Sequence, residues 1–206
     1  MKNKLLFSLL SGMFLLCACS TGTKENASEK VSDSQPVITP SAVMTETIMS
    51  RRSIRKYKPQ TVEKEKLNQI VTNGIWAPNG QGRESWQIRV VSDPKLLSAI
   101  NERYGKPFAY GAPAVVFIGF DPQYDLSQVD CGLLGGNMIL TAQSMGIGSC
   151  CLGGIVRFLK QPENKDLLQQ LQLPESHELL YAIAFGYPDE SPKAKERHTD
   201  RIQYIE

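Results

Sequence analysis

The sequence predicts a single α+β domain in which helices and strands interleave around one sheet. Three observations carry that prediction. Residues 114–120 and 179–185 are uncharged apolar runs of strand length, as strands buried on both faces require. Residues 61–75 and 127–145 place apolar side chains at helical spacing. The two kinds of segment alternate along the chain, with no internal repeat.

Taken in order, residues 41–50 read as a short helix. Thr61 is read as the N-cap of a second, with Glu63 and Glu65 in a first turn where acids favour the helix dipole. Leu67, Ile70, Val71 and Ile75 form its apolar face, and Pro78 and Gly80 break it. Residues 86–92, rich in Val and Ile, are a strand. Asp93-Pro94 opens the next helix, with Pro at its favoured first position. Residues 114–120, closed by Asp121-Pro122, are a buried strand. The longest helix starts at Ser127 as cap and stops at Gly146. It is apolar on more than one face through Leu133, Leu134, Met138, Ile139 and Leu140, which places it in a core or between subunits. Gly132, Gly135 and Gly136 each lower its helicity by roughly 1 kcal/mol relative to Ala, which fits a site where another helix comes close. Residues 162–173 make a further helix and 179–185 the last strand.

The N-terminus carries a different signal. Lys2 and Lys4 precede an almost unbroken apolar run over residues 5–16, shorter than the roughly 20 residues of a membrane span. It reads as a secretory leader. Leu16-Cys17-Ala18-Cys19 resembles the lipobox of bacterial lipoproteins, which implies removal of residues 1–18 and acylation of Cys19. An ordinary signal peptide with two incidental cysteines is the alternative. Ser20 after the cysteine points to an outer-membrane rather than inner-membrane anchor in a bacterial cell envelope. Residues 19–40, poor in large apolar residues, read as a flexible tether to a domain spanning 41–206.

Charge excludes one class of partner. The chain has 23 Lys and Arg against 21 Asp and Glu, and loss of Lys2 and Lys4 leaves 21 against 21. A balanced domain gives no support to nucleic-acid binding. Cys131, Cys150 and Cys151 form no Cys-x-x-Cys pair, and His177 and His198 have no metal-ligand spacing, so no metal site is expected. The three cysteines are taken as small buried apolar residues.

Four motifs remain. Arg51-Arg52-Ser53-Ile54-Arg55 sets three guanidinium forks and a hydroxyl in five residues without an acid, which suits a phosphate-bearing ligand or a basic surface turn. Residues 77–87 are a Gly-rich turn ending at Trp86, where backbone can approach a ligand. Residues 146–154 contain four glycines and are read as a loop exposing N–H donors suited to a ring nitrogen or an oxyanion. Lys195-Glu196-Arg197 lies in a charged tail.

In this order the four pieces resemble the nitroreductase family of flavoenzymes, over about residues 44–206. The resemblance implies a three-layer α/β/α sandwich with a central, mainly antiparallel sheet, and a homodimer with FMN at the subunit interface. It implies that Arg51, Arg52, Ser53, Arg55, Lys195 and Arg197 hold the phosphate and ribityl chain. Pro78, Asn79, Gly80 and Gly82 would reach the flavin from the partner subunit. Asn137, Leu152 and Gly154 would complete the cofactor site, and the Gly153 N–H would face flavin N5 as the catalytic contact. Gly82 stands where the family usually has Asn, Glu84-Ser85 replaces a common Gln-Pro, Gly136 a frequent Gln, and Cys151 a frequent Trp. These departures fall on the ring side and leave the phosphate side intact. The implied activity is ping-pong hydride transfer from NAD(P)H or another donor, through FMN, to a nitroaromatic, quinone or similar acceptor. A lipoprotein outside the cytoplasm does not meet the NAD(P)H pool there, so a non-catalytic flavin-carrying lipoprotein is the alternative.

Overall fold

The computed structural model describes residues 39–206; the leader, Cys19 and most of the tether lie outside them. The elements run α1 (Pro40–Ser50), α2 (Lys64–Ile75), β1 (Trp86–Val91), α3 (Pro94–Tyr104), β2 (Ala114–Phe120), α4 (Ser127–Ser144), β3 (Gly148–Leu152), α5 (Gly154–Leu159), α6 (Lys165–Gln169) and β4 (Glu178–Gly186). The four strands form one antiparallel sheet in the order β1-β2-β4-β3.

Strand alternation makes the sheet the middle of three layers. Val115 and Phe117 of β2 join Ala182 and Ala184 of β4 and Cys150 and Leu152 of β3 on one face, packed under α3, α5 and α6. Ala114, Val116 and Ile118 join Ile183 and Phe185 on the other, packed under α2 and α4. The expected α/β/α sandwich is therefore what the chain forms. Residues 114–120 form a strand with the predicted limits because both faces are covered.

Several expectations change. The second helix starts at Lys64 with Glu63 at its N-cap, not Thr61, because Val62 turns into the core and sets the entry. Ser127 does not cap α4. It is the buried first helical residue, and its hydroxyl donates to Ser85 O at 2.9 Å and accepts from Asp121 N at 2.9 Å. The helix read over 162–173 breaks into a 3₁₀ turn at Pro162–Asn164 and the single turn and a half of α6, followed by Gln172 at φ 50°. Residues 148–152 are strand β3, hydrogen-bonded to β4, rather than an open loop, and α5 follows directly. Cys151 is exposed, unlike buried Cys131 and Cys150, because β3 is an edge strand. Burial pushes the Cys131 thiol up to about 11.

The glycines of α4 do admit a close neighbour, but it comes from the sheet. A Cβ at Gly135 would lie 2.0 Å from the Tyr181 hydroxyl, which donates to Cys131 O at 2.6 Å. Gly132 and Gly136 face open space. Gly135→Ala is expected to cost about 1–3 kcal/mol by overpacking. Tyr181→Phe, which removes the clashing oxygen, restores most of it in urea unfolding; an additive double variant would refute the clash.

Candidate functional site

After α1 the chain becomes a strap clamped from two sides. On one side Ser53 bridges Ser149 in parallel, and Ile54 N donates to Ser149 O at 2.9 Å. Ile54 fits there because β3 starts with Gly148, where a Cβ would sit 2.8 Å from Ile54 Cγ1. On the other side Tyr57 bridges Pro188, Lys58 N donates to Tyr187 O at 2.9 Å, and Asp189 N donates to Lys56 O at 2.9 Å. Lys56 and Asp189 pair at 2.7 Å, which holds the carboxyl below the usual carboxylate range. Glu190 accepts from Arg55 N.

The strap sets the basic cluster against β3. Burial raises the Cys150 thiol, and the nearby guanidinium groups of Arg55 and Arg51 pull it back. Arg51 is half-buried and Arg55 exposed. Arg52 turns the other way: its Nη1 donates to Met49 O at 2.6 Å and Arg51 O at 2.8 Å. Its Nε is buried without a partner, beside a cavity of about 180 Å³ that Gln143, Gly146, Gly148 and Glu190 also line. At the far end of β3, Leu152 is buried and Gly153 is exposed, with nothing within 4 Å of the position a Cβ would take. The Tyr104 hydroxyl lies 3.3 Å from the same position on half-buried Gly154.

The structure thus sets Arg51, Ser53 and Arg55 beside the start of β3 and ties residues 187–190 to the following part of the strap. Lys195 and Arg197 lie beyond that tie in an exposed segment, where Arg197 Nη1 donates to Lys195 O at 3.3 Å and Glu196 O at 3.4 Å.

The Gly-rich turn is fixed elsewhere. Gly80 N donates to Asp130 Oδ1 at 3.0 Å, and Ser85 Oγ donates to Asp130 Oδ2 at 3.4 Å. Asp130 is only 3% exposed. Asn79 Oδ1 accepts from Glu84 N at 3.0 Å, Pro78 is exposed, and Gly82 adopts φ 65°. A side chain at Gly80 would collide with the Tyr124 hydroxyl, 2.1 Å away. All these anchors sit at the start of α4, whereas the strap sits at its end, where Gln143 Nε2 donates to Ser50 Oγ at 3.1 Å. Asp130 and Gln143 are 143 − 130 = 13 residues apart, about 20 Å along the axis. Asn137 lies between, donating to Asn73 O at 3.4 Å, beside a cavity of about 630 Å³ that Val43, Met44, Trp76 and Leu140 also line. Within one chain, therefore, residues 78–82 do not meet the strap.

Sequence reading missed Asp130 as the loop's anchor and Glu190 as the strap's. An acid in the first turn of an otherwise apolar helix was the available signal for Asp130; nothing local marks Glu190.

The chain matches the family model described as Nitroreductase family over residues 48–106 and 98–187. A putative NADH dehydrogenase/NAD(P)H nitroreductase of Archaeoglobus fulgidus is 30% identical over 151 residues, covering 68% of this chain and 83% of the relative. The NADPH-flavin oxidoreductase of Vibrio harveyi is 28% identical over 170 residues, 74% of this chain and 68% of the relative. Among solved structures, an FMN-bound nitroreductase from Bacteroides fragilis matches with a TM-score of 0.74 at 28% identity, covering 79% of this chain and 98% of that one. An FMN-bound nitroreductase from Desulfitobacterium hafniense matches with a TM-score of 0.73 at 26% identity, covering 80% and 98%.

Proposed function

The chain belongs to the nitroreductase family, and from that premise we infer that it works as an FMN-dependent NAD(P)H oxidoreductase. The observation that carries this reading is the strap. It lays guanidinium groups and a hydroxyl along β3, and Gly153 stays open four residues beyond Ser149, about 13 Å away.

The residues present fit the cofactor. Arg51, Arg55 and Ser53 form a donor set suited to a phosphate. The missing Cβ at Gly153 leaves room for a flat ring. When bound, FMN supplies the hydride chemistry between a nicotinamide donor and an acceptor. The protein's part is to bind and orient. Arg51 and Arg55 would hold the phosphate, Ser53 the phosphate or ribityl side, and Gly153 would present its N–H to the ring; Lys195 and Arg197, in the exposed segment beyond the tie, would join the phosphate only if that segment folds back over the strap. Leu152 and Gly154 line the same edge.

Two features support a homodimer. The turn at residues 78–82 and the end of α1 that leads into the strap are anchored about 20 Å apart along α4, so the turn of a second copy would complete each site, with Asn137 between them on the shared face. The exposed apolar side chains Val43, Met44 and Ile48 of α1, with Val129 and Leu133 of α4, supply the face such a copy would cover. The acceptor is a small aromatic or quinone-like molecule. We further propose, on the lipobox-like sequence at Leu16-Cys17-Ala18-Cys19, a lipid anchor in the cell envelope.

One experiment separates the readings. The purified full chain is expected to absorb near ~450 nm and to bleach when NADPH is added without air, with light scattering giving twice the chain mass. Colour without bleaching by NADPH or NADH would favour the flavin-carrying lipoprotein. A colourless protein that takes up no added FMN would refute both.

A further inference from the structure

The segment that ties down the strap is itself anchored on α2. The Tyr187 hydroxyl donates to Glu63 Oε2 at 2.7 Å and accepts from Lys66 Nζ at 2.6 Å. We propose that Tyr187 is a positioning residue: through its carbonyl and its phenol it holds the strap where Ser53 and Arg55 reach the cofactor's phosphate. The proposal rests on the oxidoreductase reading and adds a residue outside the donor set.

Three observations carry it. The first is that one residue grips both ends of a connector. Lys58 N, at the end of the strap, donates to Tyr187 O at 2.9 Å. Glu63, at the entry to α2, takes the phenol of the same residue. Of the residues between them, Pro59, Gln60 and Thr61 are exposed and only Val62 is buried.

The second is a packed route from Tyr187 back to the donors. Tyr187 follows Gly186, where a Cβ would stand 2.7 Å from Tyr57 Cδ1, so the buried Tyr57 ring lies directly on the chain there. The Tyr57 hydroxyl donates to Ile54 O at 2.8 Å, and Ile54 lies between Ser53 and Arg55. A shift at Tyr187 therefore reaches both donors through close-packed groups.

The third is that the partners of the phenol are free for it. Glu63 stands at the N-cap of α2, yet its carboxylate makes no cap hydrogen bond. Among the described residues it meets only Tyr187 and Lys66, whose Nζ lies 3.4 Å from Glu63 Oε1. The Tyr187 hydroxyl helps to hold the Glu63 carboxyl below the usual carboxylate range. Set between an acid and an ammonium, the phenol uses both its donor and its acceptor side. A Phe would fill the same space and make neither bond.

The test titrates FMN and riboflavin onto the flavin-stripped full chain, followed by fluorescence, in wild type, Tyr187→Phe, Glu63→Ala and the double variant. Tyr187→Phe keeps the ring, so the flavin-free chain should melt within about 4 °C of wild type. Its FMN affinity should fall by about threefold to tenfold while riboflavin affinity stays within about twofold, because the strap carries the phosphate donors. With FMN saturating, the rate of bleaching by NADPH should stay within about twofold of wild type. Glu63→Ala should match Tyr187→Phe, and the double variant should lose no more than either alone. Glu63→Gln, which leaves the phenol an acceptor, should lose less than about threefold. Wild-type FMN affinity in Tyr187→Phe, equal losses of the two flavins, or additive losses in the double variant would overturn the positioning role and leave the oxidoreductase reading standing. A wild type that takes up neither flavin removes that reading, and this role with it.

Discussion

Arg51→Ala should lower FMN affinity by tens-fold and leave riboflavin affinity within about twofold. The two flavins differ by the phosphate, so the contrast isolates the contact assigned to the guanidinium. A charge-assisted hydrogen bond contributes roughly 1.5–3 kcal/mol, which is about 10- to 150-fold in a dissociation constant. Arg55→Ala should behave alike, since Arg51 and Arg55 both act on Cys150 from beside β3. Arg52 already donates Nη1 to two carbonyls at the end of α1, so its removal should shift thermal stability more than the other two. Fluorescence titration of both flavins on each variant decides the matter. An Arg51→Ala protein that loses riboflavin as much as FMN has lost the shape of its site, and the phosphate assignment goes with it.

Phe117→Ala should be the most damaging single truncation in the sheet. Phe117 is 0% exposed, sits in β2 between β1 and β4, and meets Phe108 and the helices of one outer layer. Truncating a buried Phe costs about 3–5 kcal/mol, from lost transfer energy and from the cavity left behind. For a domain of this size each kcal/mol lowers Tm by roughly 2–4 °C, so a drop of about 6–20 °C is expected in a circular-dichroism melt. A drop under about 3 °C would mean that the neighbours close over the gap.

The parts legible in sequence were those whose cause is local. Residues 114–120 could be read to the residue because a strand covered on both faces needs no polar alternation. Asp93 and Pro94 announced α3, and Asp93 does accept from Lys95 N at 3.0 Å. β3 was hidden because Gly148, Ser149 and two cysteines have little strand character of their own, and pairing with β4 supplies what composition lacks. The basic cluster was legible as chemistry and not as geometry. Its parallel bridge to Ser149 joins positions 96 residues apart, 149 − 53, and no local pattern encodes that. The Gly-rich turn was likewise visible, while its anchor Asp130 lies 50 residues on from Gly80. Ser127 misled because a Ser before a helix usually caps it, and here the hydroxyl serves the β1 entry instead.

The clamp on residues 51–58 also fixes when the protein can become functional. Arg55 meets Glu190 across 135 positions, and the neighbouring bridges from Ser53 to Ser149 and from Tyr57 to Pro188 span 149 − 53 = 96 and 188 − 57 = 131. Contacts of such high sequence separation form late, after shorter loops have closed. A nascent chain on the ribosome therefore holds no cradle for a nucleotide until its last strand has emerged. Any ligand seated there binds only the closed chain, and so adds its own binding free energy to the stability of the finished fold.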